Sequence, residues 1–235
     1  MNKWQSMATA QQNPAPVRNR NRATHVIAAT LGLLVGVGSL EHGLLECMQG
    51  PAPTPGLLVN ALGRGYPWTT WKDGGEGALT ILPTFLSSGI AASLLGVLMI
   101  VWALRGFRLK HGPTLFLGLG AMSFLTGGGV AQVALILLTW SVARQIHSPL
   151  TIWSRVSRSG FPEALMRIWP YTLFLSVALF LTALEIAIFG YVPGVTDPVK
   201  RLHTCWTALA AALAMYVISV CSAFAHDCRE SELRS

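Results

Sequence analysis

Charge is scarce in this chain. Asp, Glu, Lys and Arg make up only 11% of the 235 residues, whereas apolar residues make up 52%. A soluble globular domain carries about a quarter charged residues. Several windows of roughly 20 residues, the length that crosses the hydrocarbon core of a bilayer as a helix, contain almost no charge. The composition excludes an ordinary soluble domain and predicts an all-α, multi-pass transmembrane helical bundle.

The sequence also lacks the common signatures of enzymes and cofactor-binding proteins. It contains no P-loop, no GxSxG, no HExxH, no alcohol-phosphotransferase pattern and no pair of histidines spaced to hold haem. Its four cysteines, Cys47, Cys205, Cys221 and Cys228, form no CxxC pair and no regular zinc spacing. We therefore expect no cofactor. The absence of these signatures also argues against an enzyme without excluding one.

The net charge of +7 does not indicate nucleic acid, because the basic residues occur in short clusters beside apolar runs. Such clusters are typical of the cytoplasmic loops of membrane proteins. The expected partners are the lipid bilayer and, at the basic loops, its anionic headgroups. Small residues at 32, 36, 39 and 43 also favour close helix packing, within the chain or with another copy or membrane protein.

Five apolar segments follow a polar tail. Residues 1–23 are predicted to be a disordered cytoplasmic tail, 24–226 the transmembrane helical domain, and 227–235 a charged cytoplasmic tail that frays. The predicted full spans are 24–46, 78–104, 170–192 and 204–225. A loop rich in proline and glycine occupies 47–78, and a basic amphipathic stretch at 146–169 has the composition of an interfacial segment.

The apolar segment 113–145 is too long for one simple span and is interrupted by Gly127, Gly128 and Gly129. Each glycine costs a helix interior about 1 kcal/mol, so a helical hairpin broken there is favoured over one long tilted helix. Only the hairpin keeps both flanking basic loops, 105–112 and 146–169, in the cytoplasm. We therefore predict four full spans plus a hairpin in the cell membrane, with the N-terminus and also the C-terminus cytoplasmic.

Polar residues from three segments are then predicted to reach a similar depth near the outer face, and these are Glu41, His42, Glu46, Gln132 and Glu185. His42 and Glu46 share one helix face at i,i+4 spacing. A carboxylate in hydrocarbon is costly unless it has a partner. Three interpretations stay open: helix packing, a proton or cation site, and a metal or catalytic site. A disulfide between Cys47 and Cys205 at the outer face also stays open.

His226, Asp227 and Cys228 look reactive as a sequence, but they are expected at the solvated end of the last helix. Metal sites need three or four converging ligands. We therefore predict no site there.

The motif HGLLECMQG after the first span, the Pro/Gly loop and the later GGG together resemble a group of small polytopic prokaryotic membrane proteins. The matching positions are His42, Gly43, Glu46, Gln49, Gly50 and Gly127 to Gly129, and the likeness covers roughly 30–145. The sequence departs from that group at Leu45, where relatives have an aromatic residue, and at 130–132, where they have Phe and prolines. The resemblance implies a membrane protein and supplies no chemistry.

The leading expectation for function is a membrane-embedded accessory or interaction protein. The alternative is a transporter- or channel-like protein that uses a Glu/His site for protons or cations, because broken helices recur in transporters. A second alternative is an intramembrane metal-dependent enzyme that uses His42 and Glu46.

Overall fold

The computed structural model describes residues 21–60, 77–148, 150, 153 and 162–233. The chain is mostly helical, and its helices are α1 Arg22–Cys47, α2 Phe85–Arg105, α3 Gly112–Leu125, α4 Gln132–Ala143, α5 Glu163–Arg167, α6 Trp169–Phe189 and α7 Pro198–Glu232. Its strands are β1 Leu58–Asn60, β2 Gly77–Thr80 and β3 Thr126–Gly129. Four helices, α1, α2, α6 and α7, are long and apolar enough to cross a membrane. The predicted helical class is confirmed at that level.

The helical break predicted at Gly127–Gly129 is present between α3 and α4. The chain turns back at this break, because the far ends of both helices lie at the end of the bundle where α1 begins. The Asn21 side chain donates to the backbone carbonyls of Gln145 (2.6 Å) and Ser148 (3.0 Å), beyond the end of α4. The indole nitrogen of Trp102, near the end of α2, donates to the carbonyl of Gly112 at the start of α3 (2.8 Å). The α3–α4 pair is therefore a hairpin.

The three glycines of the break lie in a strand that was not predicted. Strand β3 is one edge of a three-stranded antiparallel sheet in the order β1-β2-β3. Ala78 pairs with Gly129 and Thr80 with Thr126, and a register shift lies between the two pairs. Glycine is a poor strand former, so local propensity does not explain this strand. The position of the strand against α1 explains why it forms.

Helices α1 and α2 pack closely through small residues. A Cβ added at Gly32 would lie 2.8 Å from the Cβ of Ala103, and one added at Gly36 would lie 2.7 Å from Cγ1 of Ile100. Real carbon atoms do not approach so closely, so a larger side chain at either position would push the helices apart. The small-residue stripe of α1 is thus used within the chain.

The last helix differs from its prediction. The predicted span ended at 225 with a frayed tail beyond, whereas α7 continues to Glu232 and buries Asp227 and Cys228. The Asp227 carboxylate accepts hydrogen bonds from the backbone N–H groups of Ala23 (3.0 Å) and Thr24 (2.8 Å) and from the Thr24 hydroxyl (2.7 Å). The first N–H groups of a helix lack partners inside the helix. Asp227 supplies them for α1, and this contact keeps the tail helical.

The Asp227 contact also fixes the relative position of the two ends of the described chain. The start of α1 and the end of α7 lie together, at the same end of the bundle as the loop 106–111 and the segment 144–148. The sheet lies at the opposite end, beside the end of α1 and the start of α2. Helix α6 packs mainly against α7, and α5 bridges these two helices.

Some predictions concern residues outside the described part of the chain. They are the disordered tail over residues 1–20, the part of the Pro/Gly loop over 61–76, and the part of the amphipathic stretch over 154–161. Residues 21–23, predicted as part of the tail, belong to the start of α1. In the amphipathic stretch, the Trp153 ring packs edge-on against Phe224, with 5.5 Å between ring centroids.

Candidate functional site

The feature that stands out is Glu46, in the last turn of α1. Its side chain is 0% exposed, and it points toward β3. A Cβ added at Gly127 would lie 2.5 Å from Oε2 of Glu46, so only glycine leaves room for the carboxylate. Gly127 also has φ +105, a conformation that residues with a side chain rarely adopt. The glycine strand is thus shaped around this carboxylate.

His42 lies one turn earlier on the same face of α1 and contacts the same strand. It is 2% exposed, and a Cβ added at Gly129 would lie 2.5 Å from its Nε2. The i,i+4 pair that the sequence singled out is therefore buried against β3 at both positions. Gly127 and Gly129 permit this approach, which gives a physical reason for glycine at the two positions.

Oxygen atoms surround the carboxylate, but none of them donates to it with ordinary hydrogen-bond geometry. The Ser88 hydroxyl also lies against Gly127. It donates to the hydroxyl of Thr80 (2.8 Å) and lies 3.2 Å from the carbonyl of Thr126. Ser88 and His42 both lie close enough to Glu46 to stabilise its charge, but among the described residues neither oxygen of Glu46 has a well-formed hydrogen bond. A buried polar group normally has one, so this pair of oxygens calls for an explanation.

Gln132 belongs to a separate polar layer next to His42 and Glu46. The Ser39 hydroxyl donates to Oε1 of Gln132 (2.7 Å), and the Ser123 hydroxyl donates to Ser39 (3.0 Å). This layer joins α4, α1 and α3 through neutral hydrogen bonds between buried groups. Its chemistry is that of helix packing, the first of the three interpretations raised for the polar cluster.

The two remaining predicted residues are placed differently. Glu41 is half-buried on α1, whereas Glu185 is exposed on α6. Because α6 packs mainly against α7, Glu185 lies on a different part of the bundle from Glu46. Of the five predicted polar residues, the structure brings His42 and Glu46 together on the glycine strand and sets Gln132 in the adjacent layer.

Sequence reasoning missed Thr80 and Ser88, and its placement of Asp227 at the solvated end of the last helix was wrong, because this residue is buried. Thr80 and Ser88 are ordinary hydroxyl residues that become significant only through the fold of β2 and α2 around Glu46. Asp227 carried one signal, a carboxylate directly after an apolar helix. Its partner lies more than 200 positions away, and no local pattern indicates such a contact.

Two of the open chemical possibilities can be compared with the structure. Within 21–60, 77–148 and 162–233, no group of three or more His, Cys, Asp or Glu residues is arranged to hold a metal ion. All four cysteines carry free thiols, Cys47 and Cys205 included. A disulfide between Cys47 and Cys205 is therefore not formed.

Comparisons with known proteins give no assignment, since no family model, curated protein or solved structure matches this chain. The function is therefore inferred from the geometry of the site alone.

Physical chemistry limits what a carboxylate in this position can do. An ionised carboxylate that is transferred out of water without a partner costs far more free energy than a neutral group. Within the described part of the chain, the ion pairs involve Arg167, Arg229 and His226 with Glu163 or Asp227, and none reaches Glu46. A carboxyl group in this position is stable in its neutral, protonated form or beside a bound cation.

Proposed function

We propose that this chain is a multi-pass protein of the cell membrane that binds and passes a proton or a small cation at Glu46. The observation that carries the proposal is the complete burial of this carboxylate, without a hydrogen-bond partner, beside a break in a helical hairpin. Ionisable groups inside membrane segments commonly mark ion or proton pathways. Broken helices at such positions free backbone groups that can bind ions.

The proposed orientation has both ends of the described chain at the cytoplasmic face. It is supported by the basic residues that gather at the end of the bundle where α1 starts and α7 finishes, and these are Arg22, Arg105, Arg108, Lys110, Arg144 and Arg229. Cytoplasmic loops carry an excess of Lys and Arg. The three-stranded sheet and the Pro/Gly loop then lie toward the outside, and Glu46 lies in the outer part of the bundle. The basic end is suited to contact anionic headgroups.

An accessory role without ion binding is the second candidate. It is supported by the neutral Gln132 layer and the close packing of α1 on α2, which show that much of the buried polar and small-residue content stabilises the fold. This candidate leaves the unsatisfied carboxylate of Glu46 unexplained, so we place it second.

The test is ion movement in vesicles that contain the purified protein. Gradients of pH and of sodium are imposed in turn, and the internal pH and sodium content are followed with trapped dyes. We expect movement of one ion with the wild type and a loss of at least about tenfold with Glu46→Gln, since tenfold corresponds to only 1.4 kcal/mol. Glu185→Gln is the matched control, because it makes the same chemical change at an exposed position.

Two results would overturn this proposal. One is wild-type vesicles that leak no faster than empty ones under either gradient. The other is a Glu46→Gln variant that moves ions as fast as the wild type. Either result would return the accessory role to first place.

A further inference from the structure

The proposed function does not specify whether Glu46 binds a proton or a small cation. The atoms around Glu46 favour one of these ions. We propose that the oxygen atoms where Glu46 meets the glycine strand form a binding site for a small alkali cation of the size of sodium. Its ligands are the Glu46 carboxylate, the Ser88 hydroxyl and the backbone carbonyl of Thr126. This inference rests on the proposed function, because it names the ion that the site takes.

The type of ligand atom favours an alkali cation. Apart from Glu46, the two ligands are uncharged oxygens, and the Ser88 hydroxyl lies 3.2 Å from the Thr126 carbonyl. The Thr80 hydroxyl accepts from the Ser88 hydroxyl (2.8 Å) and from the Leu82 amide (3.1 Å), so it orients Ser88. Hard cations prefer carboxylate, carbonyl and hydroxyl oxygens, whereas zinc and copper prefer nitrogen and sulfur. One carboxylate with neutral oxygens gives a single negative charge, which matches a monovalent ion.

The backbone dipoles around Glu46 also favour a cation. Glu46 lies in the last turn of α1, and Thr126 is the residue that ends α3. The C-terminal end of a helix carries partial negative charge and unpaired carbonyl groups, so it stabilises a cation and opposes an anion. Two such ends meet at this carboxylate, which makes an ionised Glu46 without a cation doubly unfavourable.

The N-terminal end of α2, which also lies beside Glu46, has the opposite electrostatic effect. Ser88 is in the first turn of α2, and the N-terminal end of a helix favours negative charge. At this end, however, the first backbone donors are already used. The Thr84 hydroxyl accepts from the Ser87 amide (3.2 Å), and the Ser87 hydroxyl accepts from the Thr84 amide (3.3 Å). The capping box does not involve Ser88, whose hydroxyl donates to Thr80 and keeps its oxygen lone pairs for a ligand.

The glycine strand fits closely around the proposed ligands. Gly127 abuts both Oε2 of Glu46 and Oγ of Ser88, each 2.5 Å from the place that a Cβ would occupy. The backbone at Gly127 therefore closes the site on one side and holds the carboxylate beside the oxygen donors. A ligand as small as an alkali ion suits so tight an enclosure.

The experiment is a sodium titration of the full chain in detergent, with choline chloride replacing sodium chloride so that ionic strength stays constant. Thermal unfolding is the readout, because a ligand that binds only the folded state raises the unfolding temperature with its concentration. We expect a saturable rise with sodium, a smaller one with potassium, and none with choline. Direct binding of radioactive sodium gives the stoichiometry, expected to be one per chain.

Variants connect the effect to the site. Glu46→Gln is expected to abolish sodium binding. Ser88→Ala removes a ligand, and Thr80→Val removes the acceptor that orients the Ser88 hydroxyl, so each is expected to weaken binding by about tenfold or more, the loss of roughly one hydrogen-bond-strength contact. Glu185→Gln should bind as the wild type does. If Glu46→Gln does not fold, the two hydroxyl variants, with circular dichroism to check their helix content, decide the question.

The outcomes separate this inference from the proposed function. A wild-type protein whose unfolding and binding are insensitive to sodium overturns the cation site. If proton movement in vesicles still depends on Glu46 in that case, the proposed function stands with the proton as its ion. Sodium binding that survives in Glu46→Gln overturns the assignment of the ligands.

Discussion

Replacing Asp227 by alanine should separate α7 from the start of α1 and destabilise the whole bundle. Asp227 is 1% exposed and accepts three hydrogen bonds from Ala23 and Thr24. Removing an N-cap costs about 0.5–2 kcal/mol, and each buried donor left unsatisfied costs about 1–3 kcal/mol. Because both backbone donors lie in one buried helix end and partly share the penalty, we expect a loss of about 3–5 kcal/mol in the free energy of unfolding.

Asp227→Asn is the graded companion. It keeps one side-chain oxygen that can still accept from one donor of the helix end, so we expect a smaller loss, of about 1–2 kcal/mol. Equilibrium unfolding in mixed micelles, followed by circular dichroism, gives both values. The free energy of unfolding should decrease in the order wild type, Asp227→Asn, Asp227→Ala. This order is as informative as the size of each loss, because a purely steric effect would not follow the number of acceptor oxygens left at position 227.

A second readout locates the damage. Cys228 is 5% exposed, and its thiol lies 3.5 Å from the carbonyl of Leu150. In a variant that keeps only this cysteine, labelling with a maleimide should be slow, and Asp227→Ala should accelerate it. An alanine variant that is as stable as the wild type and equally protected at Cys228 would refute the view that Asp227 caps α1.

Two further predictions concern the glycine strand and the orientation. Gly127→Ala places a Cβ 2.5 Å from Glu46 in a strained conformation and should cost at least about 2 kcal/mol by thermal unfolding. Gly50→Ala, also at positive φ but with nothing within 4 Å, should cost about 1 kcal/mol, and equal losses would contradict the role of close approach. A reporter that is active only in the cytoplasm should be active when fused after Ser235, and activity only of an external reporter would contradict the proposed orientation.

The long elements of this fold could be predicted because composition and length decide them. Helices of more than 20 apolar residues leave few alternatives once the chain is assigned to a bilayer. The break at Gly127 to Gly129 was visible for the same reason, since three glycines interrupt any helix. Its detailed form was not visible, because TGGG has no strand propensity and gains its strand geometry from β2 and α1.

Part of the candidate site could be predicted from the sequence. His42 and Glu46 could be paired from their spacing alone, and Glu46 from its unexpected charge in an apolar run. Thr80 and Ser88 could not be found, because a hydroxyl residue in a membrane segment is common and carries no positional signal. Glu185 was grouped with His42 and Glu46 by its predicted depth alone, and depth does not fix which side of a helix a residue faces.

The attachment of α1 at both ends has a mechanical consequence. Its start is held by α7 through Asp227 and by the end of α4 through Asn21, and its last turn is pressed against β3 through Glu46. The helix between is continuous, and at 1.5 Å per residue Glu46 lies about 33 Å along it from Thr24. A rigid rod transmits any axial shift over its whole length. We therefore expect a displacement of α7 relative to the α3–α4 hairpin at one end of the bundle to change the separation between Glu46 and the glycine strand at the other.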